Sequence, residues 1–329
     1  MAADDGMILV TGAAGFIGFH VARALLGQGR RVVGVDSLNY YYPPALKRAR
    51  LAELHKHAGF SFHEIDISEE GRLAALPEAG AVDLIIHLAA QAGVRYSIDH
   101  PFAYTAANVT GHLAVLEFAR RAARRPRLLY ASSSSVYGAD AKRPFSEEAR
   151  VDAPESLYAA TKRAAELMSE SYARLYAIPQ VGLRFFTVYG AWGRPDMAYW
   201  LFTENILAGK PIRIFDKGGV TRDFTYIDDI VDGVLRVAFA PMKQKGPAPH
   251  RIYNIGDNRP EKVTRLVEII EAATGKKAVK EFEPMQLGDV KATCADISAL
   301  AADYGYAPKV RLEDGIPRFV EWYREYVGT

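Results

Sequence analysis

The first half of the chain alternates short apolar runs with longer stretches of helical periodicity. The runs are MILVTG (7–12), RVVGVD (31–36), FSFHEIDI (60–67), VDLIIHLAA (82–90), RLLYASS (127–133) and QVGLRFF (180–186). They are rich in β-branched and aromatic residues, and several are apolar without alternation. Strands covered on both faces of a parallel sheet read this way. Between them the spacing predicts helices over 17–28, 113–124 and 157–177. Strand–helix–strand repetition implies right-handed crossovers and an α/β fold with a Rossmann-type, doubly wound parallel sheet. After Phe186 the pattern changes. Glycine, proline and aromatics cluster in TVYGAWGRPDMAYW (187–200), strands shorten, and 242–249 reads as a surface loop. Helical pieces recur near 262–274 and 314–326. The expected organisation is a Rossmann domain over 1–186, with return segments near 225–257, and a smaller substrate-binding α/β lobe over 187–329.

Composition narrows this picture. The 329 residues carry a net charge of only +2, so nothing suggests a nucleic-acid footprint. Cys294 is the sole cysteine, which excludes an intramolecular disulfide and a thiolate zinc cluster, and no metal is expected. Cys294 is expected to be a small core residue in a reducing, cytoplasmic protein. The acidic start of the chain leads into an apolar run too short for a secretory signal, and no stretch is long enough to cross a bilayer.

Chemistry enters with the glycines. MILV runs into Thr11-Gly12-Ala13-Ala14-Gly15-Phe16-Ile17-Gly18 and then a helix. Between strand and helix, such glycines permit a tight turn, close approach of backbone N–H groups to a pyrophosphate, and tight helix–strand packing. Residues Gly12, Gly15, Phe16, Ile17 and Gly18 are therefore expected at a dinucleotide. Asp36 ends the second strand, where a carboxylate accepts from a ribose 2′-OH and repels a 2′-phosphate, which favours NAD over NADP. Asn39 follows it. Asp66 and Ile67 close the third run, where they would flank an adenine. Leu88, Ala89, Ala90 and Gln91 close the fourth, near a nicotinamide ribose.

Tyr158-Ala-Ala-Thr-Lys162 opens a helix that Ser156 is placed to cap. The spacing puts Tyr158 and Lys162 on one face. A phenolate favoured by Lys⁺ and by bound NAD⁺ can take a proton from a substrate hydroxyl. Ser132-Ser133-Ser134-Ser135 lies at the carboxyl end of the fifth run, where open α/β sheets bind ligands.

Together, TGAAGFIG, Asp36, SSSSVYG and YAATK resemble the extended short-chain dehydrogenase/reductase family. The resemblance extends over Arg222-Asp-Phe-Thr-Tyr-Ile-Asp-Asp-Ile230, Tyr253-Asn-Ile-Gly256 and Gly288-Asp289-Val290. It implies catalytic roles for Ser133, Tyr158 and Lys162, a diphosphate contact for Arg222 and a uridine-ribose contact for Asp289. Related dehydratases and uronate decarboxylases carry acids where this chain has Ser134 and Ser135. Neither serine supplies a carboxylic proton, so dehydration is disfavoured, and decarboxylation less decisively.

Two further segments resemble the UDP-glucuronate 4-epimerases of that family: Ala90-Gln-Ala-Gly-Val-Arg95-Tyr-Ser97, and Leu183 through Met197. The resemblance implies reversible conversion of UDP-glucuronate to UDP-galacturonate through a 4-keto sugar, with NAD tightly bound and the chain a homodimer. Substrate contacts would then fall on Arg95, Ser133, Ser134, Ser135, Tyr158, Thr187, Arg194, Phe215, Arg222 and Asp289. Thr187, Ser134, Ser135 and Arg194 offer donors and a cation to a C6 carboxylate. Departures are small: Ser37 for a frequent asparagine, Leu287 for a proline, Gln286 for an arginine of galactose epimerases. Rival readings are UDP-glucuronate decarboxylation or UDP-glucose 4-epimerisation on the same scaffold, and a non-catalytic NAD-binding regulator.

Overall fold

The computed structural model describes residues 6–286 and 288–328; the acidic residues at the extreme start of the chain and Leu287 lie outside them. The six apolar runs form β1 (Met7–Thr11), β2 (Arg31–Asp36), β3 (Phe60–Glu64), β4 (Val82–His87), β5 (Arg127–Ser133) and β6 (Gln180–Phe185). Later come β7 (Thr187–Tyr189), β8 (Pro211–Phe215), β9 (Thr221–Tyr226), β10 (His250–Ile255), β11 (Pro260–Lys262) and β12 (Val279–Glu283). The main sheet has the order β10-β6-β5-β4-β1-β2-β3, and every pairing in it is parallel. The chain returns to the main sheet at 250–255, beside β6.

The lack of alternation in these strands has its reason in the packing. In β1, Ile8 and Val10 join a core cluster on one face, while Met7 and Leu9 join another on the opposite face. Both faces are covered, so both must be apolar. The first cluster continues without a break into the later elements, through Tyr199, Phe224 and Phe319. There the sheets are small: β11-β9-β7 and β12-β8.

Helix edges differ from the sequence reading at instructive places. The first helix spans Phe16–Gly27, and Ser156 caps the helix Leu157–Tyr176 by accepting Ala159 N–H at 3.2 Å. The helix expected over 113–124 is Gly111–Arg121, and helical backbone reaches it from Pro101 through a π-turn at Thr105–Thr110. Propensity cannot find a π-turn, because its wide loop is held by a tertiary contact of Asn108 described below. The strands expected over 60–67 and 82–90 stop at Glu64 and His87, which frees their last residues for the cleft. Cys294 corrects another expectation. It is half-buried beside Asn258 rather than in the core, while its neighbours Thr293 and Ala295 are the buried residues of that segment.

No helix among the described residues is long and apolar enough to cross a membrane.

Candidate active site

A cavity of about 520 Å³ opens at the carboxyl ends of the central strands. Its walls bring together Gly12, Gly15, Phe16, Ile17, Gly18, Asp36, Asn39, Asp66, Ile67, Leu88, Ala89, Ala90, Gln91, Ser133, Tyr158, Lys162 and Arg194. The sequence reading had selected all of these.

The glycine-rich turn fits a pyrophosphate on structural grounds. Gly12 has φ +72°, and a Cβ there would lie 2.7 Å from the Ala89 nitrogen. A Cβ on Gly18 would lie 2.0 Å from the Gly12 carbonyl oxygen. Gly15 begins the helix without any side-chain cap, which leaves first-turn N–H groups for an anion. Asp36 stands at the next strand end. Its carboxylate accepts Leu38 N–H at 2.9 Å and Ala14 N–H at 3.2 Å. Burial pushes its pKa up, and the Lys47 charge is the strongest influence pulling it back.

At the other end of the cavity, Lys162 is buried and donates to the Ala131 carbonyl at 2.9 Å. Burial lowers its pKa to about 8, against the raising influence of Glu166. Burial also pushes the Tyr158 phenol above its usual value; a hydrogen bond with Ser133 and the Arg194 charge pull it back. Burial outweighs what favours the phenolate. Ser133 is well held: its hydroxyl accepts from Ser135 N–H at 3.2 Å and from the Ser135 hydroxyl at 2.9 Å.

Beneath these groups runs a buried polar brace. Glu166 accepts from Ser132 Oγ at 2.6 Å and from Arg184 Nε and Nη2 at 2.8 and 2.9 Å. Arg184 also donates to the Tyr137 hydroxyl at 2.9 Å. On the helical side, Asn108 accepts Gln91 N–H at 2.8 Å and donates to Gln91 O and to Thr161 Oγ at 3.0 and 3.1 Å. It thereby fixes the end of the fourth strand against the residue before Lys162. The reading from sequence missed Asn108, Glu166 and Arg184. A polar residue inside a helical pattern was the available signal for Asn108, but its partners lie far away in sequence.

The cleft also contains residues not selected beforehand: Tyr41, Tyr42, Lys47, Tyr96, Phe186 and Met197. Lys47 Nζ donates to the Asn39 carbonyl and side-chain oxygen at 2.9 and 2.7 Å. Arg194 lines the cavity but is already paired with Asp196, at 3.0 and 2.5 Å, and Asp196 accepts from the Tyr41 hydroxyl at 2.9 Å. Four other selected residues form a neighbouring patch. The Arg95 guanidinium sits 5.1 Å from the Phe215 ring centroid, and Arg222 Nη2 bonds Asp289 Oδ1 at 2.7 Å. Ser134, Ser135 and Thr187 are outside the cavity walls, with Thr187 half-buried at the start of β7. Cys, His, Asp and Glu form no group of three suited to a metal among the described residues.

A parallel sheet with a glycine-rich turn, a carboxylate closing the second strand and a Ser–Tyr–Lys set at one strand edge defines a nucleotide-cofactor enzyme of the short-chain dehydrogenase/reductase type. Residues 8–256 match the NAD dependent epimerase/dehydratase family, and the chain belongs to that family. It is 48% identical to UDP-glucuronate 4-epimerase 5 of Arabidopsis thaliana, over 98% of this chain and 76% of that protein. It is 45% identical to a probable UDP-glucuronate 4-epimerase of Rhizobium meliloti, over 96% of both. Among solved structures it is similar to UDP-glucuronic acid 4-epimerase from Bacillus cereus in complex with UDP-glucuronic acid and NAD. The TM-score is 0.89 at 34% identity, over 97% of this chain and 99% of that one.

Proposed function

We propose that the protein interconverts UDP-glucuronate and UDP-galacturonate by epimerisation at C4, with NAD as a bound cofactor. The observation that carries this reading is the meeting of Ser133, Tyr158 and Lys162 with the glycine turn and Asp36 in one cavity, in a chain whose relatives are UDP-glucuronate 4-epimerases. Gly12, Gly15 and Gly18 leave room for the pyrophosphate, Asp36 receives the adenosine ribose, and the end of β4 borders the nicotinamide side. NAD held there would supply the hydride-accepting and hydride-returning chemistry that inversion at C4 requires.

The residues of the chain handle the proton. Tyr158 takes it from O4 and later gives it back, Ser133 donates a hydrogen bond to O4, and Lys162 keeps positive charge beneath the phenol. Ser134 and Ser135 cannot deliver the carboxylic proton that dehydration needs. Arg95, Phe215, Arg222 and Asp289 stand beside the cavity, where they hold the nucleotide half while the hexose turns. The Arg222–Asp289 and Arg194–Asp196 pairs must rearrange or share their charges as the substrate enters.

The oxidised sugar is a β-keto acid prone to lose CO₂, so its carboxylate must be held. Thr187, Ser134 and Ser135 are assigned to that task. The helix Leu157–Tyr176 supports reading the chain as a homodimer: its buried side carries Ala165, Ser169 and Ala173, while Leu167 and Leu175 are 54% and 68% exposed. A reducing cytoplasmic setting fits the single unpaired Cys294.

Incubation of the purified protein with UDP-glucuronate, with UDP-sugars resolved by chromatography, tests the proposal. UDP-galacturonate without added NAD is the expected product. Release of CO₂ with a UDP-pentose as the main product would replace epimerase by decarboxylase. NAD binding with no sugar turnover would point to the regulator.

A further inference from the structure

Arg50 is the most unusual charge in the molecule. It lies on the helix Pro44–Leu54 and is fully buried, with 0% exposure. A guanidinium has five N–H donors, and this one makes five hydrogen bonds. Nη1 donates to the Ala14 carbonyl and to the Tyr42 hydroxyl, both at 2.8 Å. Nη2 donates to the Trp192 and Gly193 carbonyls at 2.6 and 2.8 Å, and Nε to Trp192 O at 3.1 Å. Every acceptor is neutral. Among the described residues no carboxylate forms an ion pair with Arg50, whereas the other fully buried arginine, Arg184, is paired with Glu166.

A buried charge without a counter-ion is costly, and hydrogen bonds to carbonyls recover only part of its lost hydration. A neutral donor would tie the same segments together more cheaply. The positive charge therefore needs a further reason, and its location supplies one. Ala14 lies inside the turn Gly12–Gly18, the anion cradle. The same residue is gripped from its other side, where Asp36 accepts its N–H. The Arg50 charge is felt across this region: at Asp36, whose pKa burial raises, it is the weakest of the influences pulling the other way, after Lys47 and the Leu38 and Ala14 N–H groups. The turn itself contains no basic side chain.

We infer that Arg50 is the buried cation of the pyrophosphate site: it holds the glycine-rich turn through the Ala14 carbonyl and supplies, without touching the ligand, the positive charge that the cofactor's diphosphate completes. Arg50 is thus a positioning residue. Its grip on Trp192, a non-glycine residue at φ +58°, and on Gly193 also ties the cradle to the segment that carries Arg194 and Asp196. The inference rests on the assignment of this cavity to NAD.

A structural clip and a field-giving cation differ in how they treat ligand charge, so the test compares ADP with adenosine on protein freed of co-purified nucleotide. Affinities are measured by calorimetry for ADP and by saturation-transfer NMR for the weaker adenosine. Arg50→Met is expected to weaken ADP by about 10- to 100-fold, the range of one or two decades in affinity, and to leave adenosine within about threefold. As isolated, the variant should also carry less NAD per chain. Arg50→Lys keeps the charge and loses most of the bonds; it should keep the preference for ADP over adenosine. Equal losses for both ligands in Arg50→Met, or loss of the preference for ADP in Arg50→Lys, overturn the inference and leave a structural clip. If Arg50→Met does not melt cooperatively, the Arg50→Lys comparison decides alone. Wild-type protein that binds neither ADP nor NAD would overturn the cofactor assignment itself, and the inference with it.

Discussion

Replacing Lys162 by methionine should make the protein more stable and nearly inactive. Lys162 is buried and donates one hydrogen bond, to Ala131 O at 2.9 Å. Burial lowers its pKa from 10.5 to about 8, and at about 1.4 kcal/mol per unit the folded state bears a penalty of about 3 kcal/mol. Methionine fills similar space without the charge. Loss of the bond to Ala131 gives back about 1 kcal/mol, and Glu166 loses one attractive neighbour while keeping Arg184 and Arg163. The net gain expected near pH 7 is about 1–2 kcal/mol by this reckoning.

The pH dependence has a definite sign. Below about pH 8 both folded and unfolded wild-type chains hold the proton, so the full penalty applies. Between about 8 and 10.5 the folded chain has released it while the unfolded chain still binds it, so wild-type stability rises relative to the variant. Urea unfolding of both proteins at pH 7 and pH 9.5 reads this directly. The advantage of Lys162→Met should be largest at pH 7 and shrink at pH 9.5, while turnover falls by about a hundredfold or more, as for other general acid–base groups. A variant less stable than wild type at pH 7, or a difference that does not change with pH, would refute the picture of a cation kept in place for function.

Four further outcomes are expected. Tyr158→Phe should lower turnover by about a hundred- to ten-thousandfold, the usual contribution of a general base, with UDP-glucuronate affinity by calorimetry largely retained; near-normal turnover removes Tyr158 from the chemistry. Asp36→Ala should weaken NAD and relax discrimination against NADP in fluorescence titrations, and a wild-type preference for NADP would show the ribose assignment to be mistaken. Thr187→Val should slow epimerisation and raise the ratio of UDP-4-keto-pentose to UDP-galacturonate on chromatography; an unchanged rate and ratio would dissociate Thr187 from the carboxylate. Light scattering should give a dimer mass at micromolar concentration, lowered by Leu167→Glu with Leu175→Glu, and monomer mass for the wild-type protein would remove the interface.

Much of this protein is local, and what is local could be read from the chain. The double-sided apolar strands, the glycine turn after β1, the carboxylate closing β2 and the four-residue spacing of Tyr158 and Lys162 depend on neighbours in sequence. They announce both the sheet and the chemistry at its carboxyl edge. The Ser156 cap is of the same kind.

What escaped depends on partners far apart. The π-turn at Thr105–Thr110 exists because Asn108 reaches Gln91 and Thr161, and nothing in its own stretch encodes that reach. The apolar stripe containing Leu167 and Leu175 could be seen in the sequence, yet only packing reveals that it is the face the sheet does not cover. Arg194 could be nominated as a cation near the sugar, but the Tyr41 hydroxyl that donates to its partner Asp196 arrives from a distant segment. Arg50, in a stretch rich in arginine and lysine, looks from sequence like part of a solvated helical face. The fold instead places four neutral acceptors around it, and no carboxylate among the described residues forms an ion pair with it. Periodicity tells which side chains are buried. Whether a buried charge meets an opposite charge, a carbonyl or a ligand is decided by segments the chain brings together only in three dimensions.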